Sequence, residues 1–143
     1  MTEEAGHYES LDEMERVVRG FESCRLSPEE FTHRAHLTVA LCYLRRLTVP
    51  LAAERMRASL LRFLDHHNVA REKYNETITL FWIKLLRKLL DDSVRKRPFV
   101  PAANEVIAQL NDSRLIFDYY SRERLFSEEA RSGWVEPDLK SEI

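Results

Sequence analysis

The segment YNETITLFWIKLLRKLL, at residues 74–90, has the periodicity of an amphipathic helix. Its apolar side chains recur every three or four residues, at Ile78, Trp82, Leu85, Leu86 and Leu89. This spacing aligns side chains along one face of an α-helix, and such a face is normally buried against other elements. The segment therefore predicts a long helix that ends before residues 91–98 and packs within a helical protein.

The surrounding sequence also favours helices. Only three Gly and five Pro are present, fewer turn residues than an all-β chain needs. Residues 10–13 (SLDE) and 27–30 (SPEE) match the capping box that begins a helix. We expect helices at about 11–20, 28–47, 50–67, 74–90 and 101–110, a helical segment at 113–120, and one or two turns after Ser127. The predicted fold is an all-α, single-domain bundle of five to seven helices.

The length of 143 residues suits one hydrophobic core, and the sequence contains neither an internal repeat nor a Gly/Ser linker. We therefore expect residues 1–143 to form a single helical domain. Residues 1–9 are expected to be flexible, and residues 121–143 to pack on the bundle. Trp134 is expected to anchor this C-terminal segment, with a role as a pocket lid as the alternative.

Charge and cysteine content exclude several functions. The 22 Lys and Arg residues nearly balance the 24 Asp and Glu residues, so no overall field attracts nucleic acid or a membrane surface. The basic stretch at residues 84–97 is interpreted as a solvated face. Two cysteines, an acidic start without an apolar leader, and the lack of an apolar run of about 18 residues indicate a cytoplasmic protein.

Two histidines in the segment FTHRAHL, His33 and His36, are the first candidates for a functional site. At about 100° per residue, both fall on the apolar stripe of their helix, whereas Arg34, Thr38 and Arg45 fall on the other side. Two inward imidazoles spaced three residues apart can bind one metal ion. Two ligands do not complete a site, so further polar residues are needed.

Other helices supply those residues. His67 continues the apolar stripe of the third helix, whereas His66 points to solvent; Glu76 and Asn75 begin the fourth helix. We predict a metal site formed by His33, His36, Glu76 and His67, holding a divalent transition metal such as zinc, iron, manganese or nickel. Glu76 and His36 are the candidate catalytic residues. The candidate ligand-binding residues are Tyr43, Tyr74 and Asn75.

The same residues have a structural interpretation, which the spacing alone favours. His33 and His36 would then be imidazoles at the edge of the core that are hydrogen-bonded to a carbonyl or carboxylate group. Asn75 would be a helix N-cap, and Glu76 an ordinary first-turn acid stabilised by the helix dipole.

Three segments, FTHRAHL, YNETIT and YYSRERLFSEEARSGWVEPDL, give the chain a resemblance to an uncharacterised family of small bacterial proteins. The resemblance extends over about residues 30–139. It implies an all-α fold and an inward polar pocket, and where the family pattern has His this chain has Asn75, a weaker metal ligand. The family's polar positions correspond here to His33, His36, Glu76, Thr77, Arg122, Arg124, Trp134, Glu136 and Asp138.

Two functions are compatible with these features. In the first, the protein is an enzyme in which a divalent metal and the polar pocket act on a small molecule. In the second, it is a non-catalytic module that binds a small ligand or a protein partner, which includes a homodimer. The second is suggested by Phe81 and Trp82, which lie on different sides of one helix and could leave an apolar face uncovered.

Overall fold

A computed structural model describes residues 6–141, which form five long helices and four short helical segments. The α-helices are α1 (Leu11–Glu22), α2 (His33–Leu44), α3 (Val49–His66), α4 (Glu76–Val94), α5 (Phe99–Leu110), α6 (Arg122–Leu125) and α7 (Glu128–Ser132). Two 3-10 helices lie at Arg71–Lys73 and Ser113–Asp118. No strand occurs between residues 6 and 141, so the all-α prediction is confirmed.

The start of α2 differs from the prediction. The capping box at residues 27–30 does form, since the Glu30 amide donates to Ser27 Oγ and the Ser27 amide donates to Glu30 Oε1. It closes only one turn, because Thr32 adopts an extended conformation and caps a new helix through the Ala35 amide. Phe31, between the two caps, stacks on Phe21 with ring centroids 4.3 Å apart. The helix therefore begins at His33 rather than near residue 28.

Helix α4 lies at the centre of the bundle and contacts α2, α3, α5 and α7. Phe81 is 0% exposed and Trp82 is 2% exposed, although they lie on different sides of the helix. Both rings are therefore covered within one chain, and the apolar face that suggested a homodimer is not exposed at these two residues. Self-association stays a prediction without this support.

Residues 6–8 cover the outer side of α2. Tyr8 exchanges two hydrogen bonds with Asn104 of α5, at 2.9 and 3.0 Å. Its ring lies under the Arg34 guanidinium, and its hydroxyl is 3.0 Å from Thr38 Oγ1. Thr38 is 0% exposed, so its predicted position on the side of the helix away from the core is wrong. Residues 1–9 were expected to be flexible. Tyr8 is instead anchored by these contacts, and residues 1–5 lie outside the described part of the chain.

The C-terminal segment, residues 121–141, is fixed to the start of α4. Thr77 Oγ1 donates to the Gly133 carbonyl group at 2.7 Å and accepts a hydrogen bond from the Val135 amide at 3.1 Å. Trp134 packs against the core with its indole edge-on to Tyr120. These contacts match the anchor expected for Trp134, and this residue is absent from the pocket described below.

Within residues 6–141, none of the helices combines the length and the apolar character needed to cross a lipid bilayer.

Replacing Thr77 by Val keeps the shape of this side chain but removes both hydrogen bonds to the C-terminal segment. Two partly buried backbone groups then lose their partner, so the free energy of unfolding should fall by about 1–3 kcal/mol. Urea denaturation measures the change. The exposed Ser132→Ala variant is the control and should stay within about 0.5 kcal/mol of the wild type. A Thr77→Val protein as stable as this control would contradict the role given to Thr77.

Candidate functional site: a histidine pocket between three helices

Two of the candidate histidines line one cavity of about 290 Å³. This cavity, hereafter the His36 pocket, lies between the first turn of α2, the second half of α3 and the start of α4. Most of the surface area of its lining is apolar, although more than half of the lining residues carry a polar side-chain group. Small-molecule sites also combine apolar walls with polar groups that orient the ligand. The lining residues are Phe31, Thr32, His33, His36, Leu60, Leu64, Lys73, Tyr74, Asn75, Ile78 and Thr79.

His33 is held by a long-range hydrogen bond. Its Nε2 lies 2.9 Å from the carbonyl oxygen of Leu110, at the end of α5, and its ring packs edge-on against Trp82. A carbonyl group can only accept, so Nε2 carries the proton and Nδ1 is the unprotonated nitrogen of the neutral ring. Burial lowers the pKa of His33, and this effect is partly opposed by the Leu110 carbonyl and by Asp112.

His36 differs from His33 because it lacks such a hydrogen bond. Its Nε2 is buried and has no hydrogen-bond partner among the described residues. The ring lies edge-on to Phe31, with centroids 5.9 Å apart. Burial lowers the pKa of His36 from about 6.5 to about 4, with a smaller contribution from the neighbouring His33. At neutral pH the imidazole is therefore uncharged, and one of its nitrogens is buried without a partner.

Asn75 lines the pocket but also has a structural role. Its Oδ1 accepts a hydrogen bond from the Ile78 amide at 3.0 Å, which caps α4. Its Nδ2 donates to the Leu125 carbonyl group at 2.8 Å. Both functional groups of this side chain are thus used within the protein, as the N-cap interpretation of the sequence expects.

Glu76 does not line the His36 pocket. Its two carboxylate oxygens accept hydrogen bonds from Arg57 of α3 at 2.9 and 2.6 Å, and the Tyr74 hydroxyl donates to Oε1 at 2.6 Å. Hydrogen bonding to Arg57 is the main reason that the pKa of Glu76 is lowered. The carboxylate predicted to act as catalytic group and metal ligand is therefore an ion-pair partner of α3. Tyr74 contributes to the pocket lining while its hydroxyl is used by Glu76.

The other two predicted site residues also lie outside the His36 pocket. His67 caps the end of α3, and its ring packs on Phe63 at 4.5 Å; its Nε2 is buried without a partner within residues 6–141. Tyr43 lines a separate cleft, where its hydroxyl donates to Glu22 and lies 3.3 Å from Ser59. The structure thus brings His33, His36, Tyr74 and Asn75 together and places Glu76, His67 and Tyr43 elsewhere.

A metal centre finds little support in this arrangement. Across residues 6–141, no three His, Cys, Asp or Glu side chains are grouped closely enough to hold a metal ion. His33 and His36 alone would give two ligands, which do not complete a metal site. The metal-dependent enzyme stays a prediction from the sequence.

A larger depression, about 750 Å³, lies between the N-terminal residues and α5. Several of its polar groups are paired: Asn104 binds the backbone of Tyr8, and Arg97 forms an ion pair with Glu105 at 3.3 Å. The smaller His36 pocket is the better candidate, because one of its lining side chains, His36, has a buried polar atom without a partner within residues 6–141.

Several residues of the basic stretch at 84–97 are used within the protein. Lys84 lies 4.1 Å above the Trp134 ring, and Arg87 donates to the Leu44 carbonyl group and to Asp91. Lys84 therefore contacts the C-terminal segment, and Arg87 joins α4 to the end of α2.

Sequence reasoning missed part of the pocket. Phe31 and Thr32 precede the two histidines within FTHRAHL, and Lys73 precedes the segment YNETIT. The nearness of these residues in sequence to the two segments could have identified them as pocket residues. Leu60 and Leu64 were assigned only to the apolar stripe of α3, and only the fold shows that this stripe also lines a cavity.

Comparison of the chain with protein-family models, with curated proteins and with solved structures found no match.

Substitution of each histidine by Phe should have opposite effects on stability. Phe keeps an aromatic ring but has no nitrogen. His36→Phe removes the unpaired buried atom and should raise the free energy of unfolding by about 1 kcal/mol. His33→Phe leaves the Leu110 carbonyl group without its donor and should lower the free energy of unfolding by about 1 kcal/mol. Urea denaturation near neutral pH measures both variants. A loss of stability in His36→Phe similar to that in His33→Phe would indicate that His36 is also hydrogen-bonded in the native protein.

Stability should decrease on mild acidification. The unfolded state binds a proton at His36 near pH 6.5, whereas the native state binds it only near pH 4. Between these values the unfolded state holds more protons, so the free energy of unfolding falls as the pH falls from about 7 to about 5. Urea denaturation across this range measures the slope. In His36→Phe the free energy of unfolding should depend less steeply on pH, and the dependence that remains is due in part to His33. An unchanged slope would show that the pKa of His36 is not lowered in the native protein.

Proposed function

We propose that this protein binds a small molecule in the His36 pocket and that His36 forms a hydrogen bond with it. The observation that carries the proposal is the His36 side chain, which lines a cavity and whose buried Nε2 has no partner within residues 6–141. An unpaired buried polar group costs about 1–3 kcal/mol. A ligand that hydrogen-bonds this nitrogen offsets that cost, whereas an apolar side chain would fill the space more favourably if packing were its only role.

The electrostatic state of His36 favours binding over acid–base catalysis. A general base works best when its pKa is close to the working pH. His36 has a pKa of about 4, so it is a weak base at neutral pH. Glu76, the other predicted proton carrier, is held by Arg57 and lies outside the pocket lining. A binding function therefore requires less rearrangement than the predicted catalytic one.

The experiment uses four small aromatic probes: indole and benzamide, which are neutral, benzoate, which is anionic, and benzylamine, which is cationic. Each is titrated into the full chain while the imidazole nitrogen signals of His36 are followed by NMR. We expect at least one probe to shift these signals saturably and to bind at least about tenfold more weakly to His36→Phe, because a buried hydrogen bond is lost. The exposed His66→Phe variant is the control and should bind as the wild type does.

Failure of all four probes to shift the His36 signals, or equal binding to His36→Phe, would contradict the proposal. Zn²⁺ is titrated separately. Stoichiometric binding that is lost in both His33→Phe and His36→Phe would favour the metal-dependent alternative instead.

A further inference from the structure

We infer that the ligand of the His36 pocket is a small carboxylate with an apolar body. This inference rests on the proposed function and adds the chemical class of the ligand. It is carried by two helix N-termini, one lysine and the unpaired imidazole, all of which border the same cavity.

Two long helices begin at the pocket. Thr32 and His33 belong to the start of α2, and Asn75 is the N-cap of α4; all three line the cavity. Thr32 and Asn75 each accept a hydrogen bond from one early amide of their helix, that of Ala35 and that of Ile78. The other first-turn amides have no acceptor within the helix, and the helix dipole places partial positive charge at this end. Two such ends bordering one cavity favour a bound anion.

The side-chain charge at the pocket is also positive and therefore favours an anion. Lys73 is the one charged side chain among the described lining residues, and no carboxylate is present in this lining. The first turn of α2 also lacks an acidic residue. The first turn of α4 contains Glu76, but Arg57 pairs with both of its oxygens and balances its charge.

The unpaired atom of His36 provides the independent evidence for a ligand. With its proton on Nε2, the neutral imidazole donates one hydrogen bond, which a carboxylate oxygen accepts. This bond would satisfy the buried nitrogen that the described residues leave without a partner. Lys73 can bind the same carboxylate from the edge of the pocket, where it is solvent-exposed.

The apolar part of the lining indicates that the rest of the ligand is apolar. Phe31, Leu60, Leu64 and Ile78 form most of the remaining wall. A cavity of about 290 Å³ limits the ligand to a small molecule. One lysine and one imidazole suit a carboxylate monoanion better than a phosphate group, which is usually bound by several cationic or backbone donors.

Isothermal titration calorimetry near neutral pH compares benzoate with benzamide, which has the same ring and nearly the same shape but no charge. We expect the full chain to bind benzoate about tenfold more tightly than benzamide, because the anion gains charge-assisted hydrogen bonds and the favourable field of two helix N-termini. In Lys73→Gln the affinity for benzoate should fall about fivefold while that for benzamide stays unchanged. Lys88→Gln, an exposed lysine outside the pocket lining, is the matched control.

The outcomes separate this inference from the proposed function. Equal affinity for benzoate and benzamide, or preference for benzamide or benzylamine, overturns the carboxylate inference and leaves the pocket as a ligand site. A benzoate preference that Lys73→Gln and Lys88→Gln change equally also overturns it, because the charge effect is then not local. Absence of binding by all four probes overturns both.

Discussion

The start of α4 is the point on which the rest of the structure depends. A helix beginning in the interior exposes amides that must find acceptors, and Asn75 meets this need by capping α4. The same side chain binds the Leu125 carbonyl group, and Thr77 binds Gly133 and Val135 one turn further on. Most of the polar groups here are therefore committed to holding the C-terminal segment. Asn75 also lines the His36 pocket, which therefore lies directly beside this junction.

The contrast between the two pocket histidines explains why one of them is the functional candidate. His33 and His36 lie on the same side of α2, and burial lowers the pKa of both. His33 has a firm acceptor in the Leu110 carbonyl group, so its position is accounted for by the fold. His36 is packed against Phe31 and lacks such a partner within the described chain. Folding alone therefore explains His33 but gives no reason for an imidazole at His36.

Local sequence patterns predicted the helices well and the site only in part. The periodicity of residues 74–90 identified α4, but the helix continues to Val94, so the prediction that it ends before residue 91 is wrong. The phase of His33 and His36 correctly placed both side chains at the pocket. The Leu110 acceptor lies 77 residues from His33, so no local pattern contains it. Glu76 was misjudged because adjacent residues on a helix differ by about 100°, and Arg57 on α3 attracts its carboxylate away from the cavity. The start of α2 was mispredicted because Ser27 and Thr32 are both suitable N-caps, and the sequence does not show which of them begins the long helix.

The paired hydrogen bonds between Tyr8 and Asn104 join positions 96 residues apart. During synthesis on the ribosome, Tyr8 leaves the peptidyl transferase centre long before its partner exists. At typical elongation rates of about 5–20 residues per second, the delay is about 5–20 s. The surface of α2 that Tyr8 covers, including the hydroxyl of Thr38, is therefore completed only after most of the polypeptide has been translated. Nascent chains shorter than this length would present that surface to chaperones.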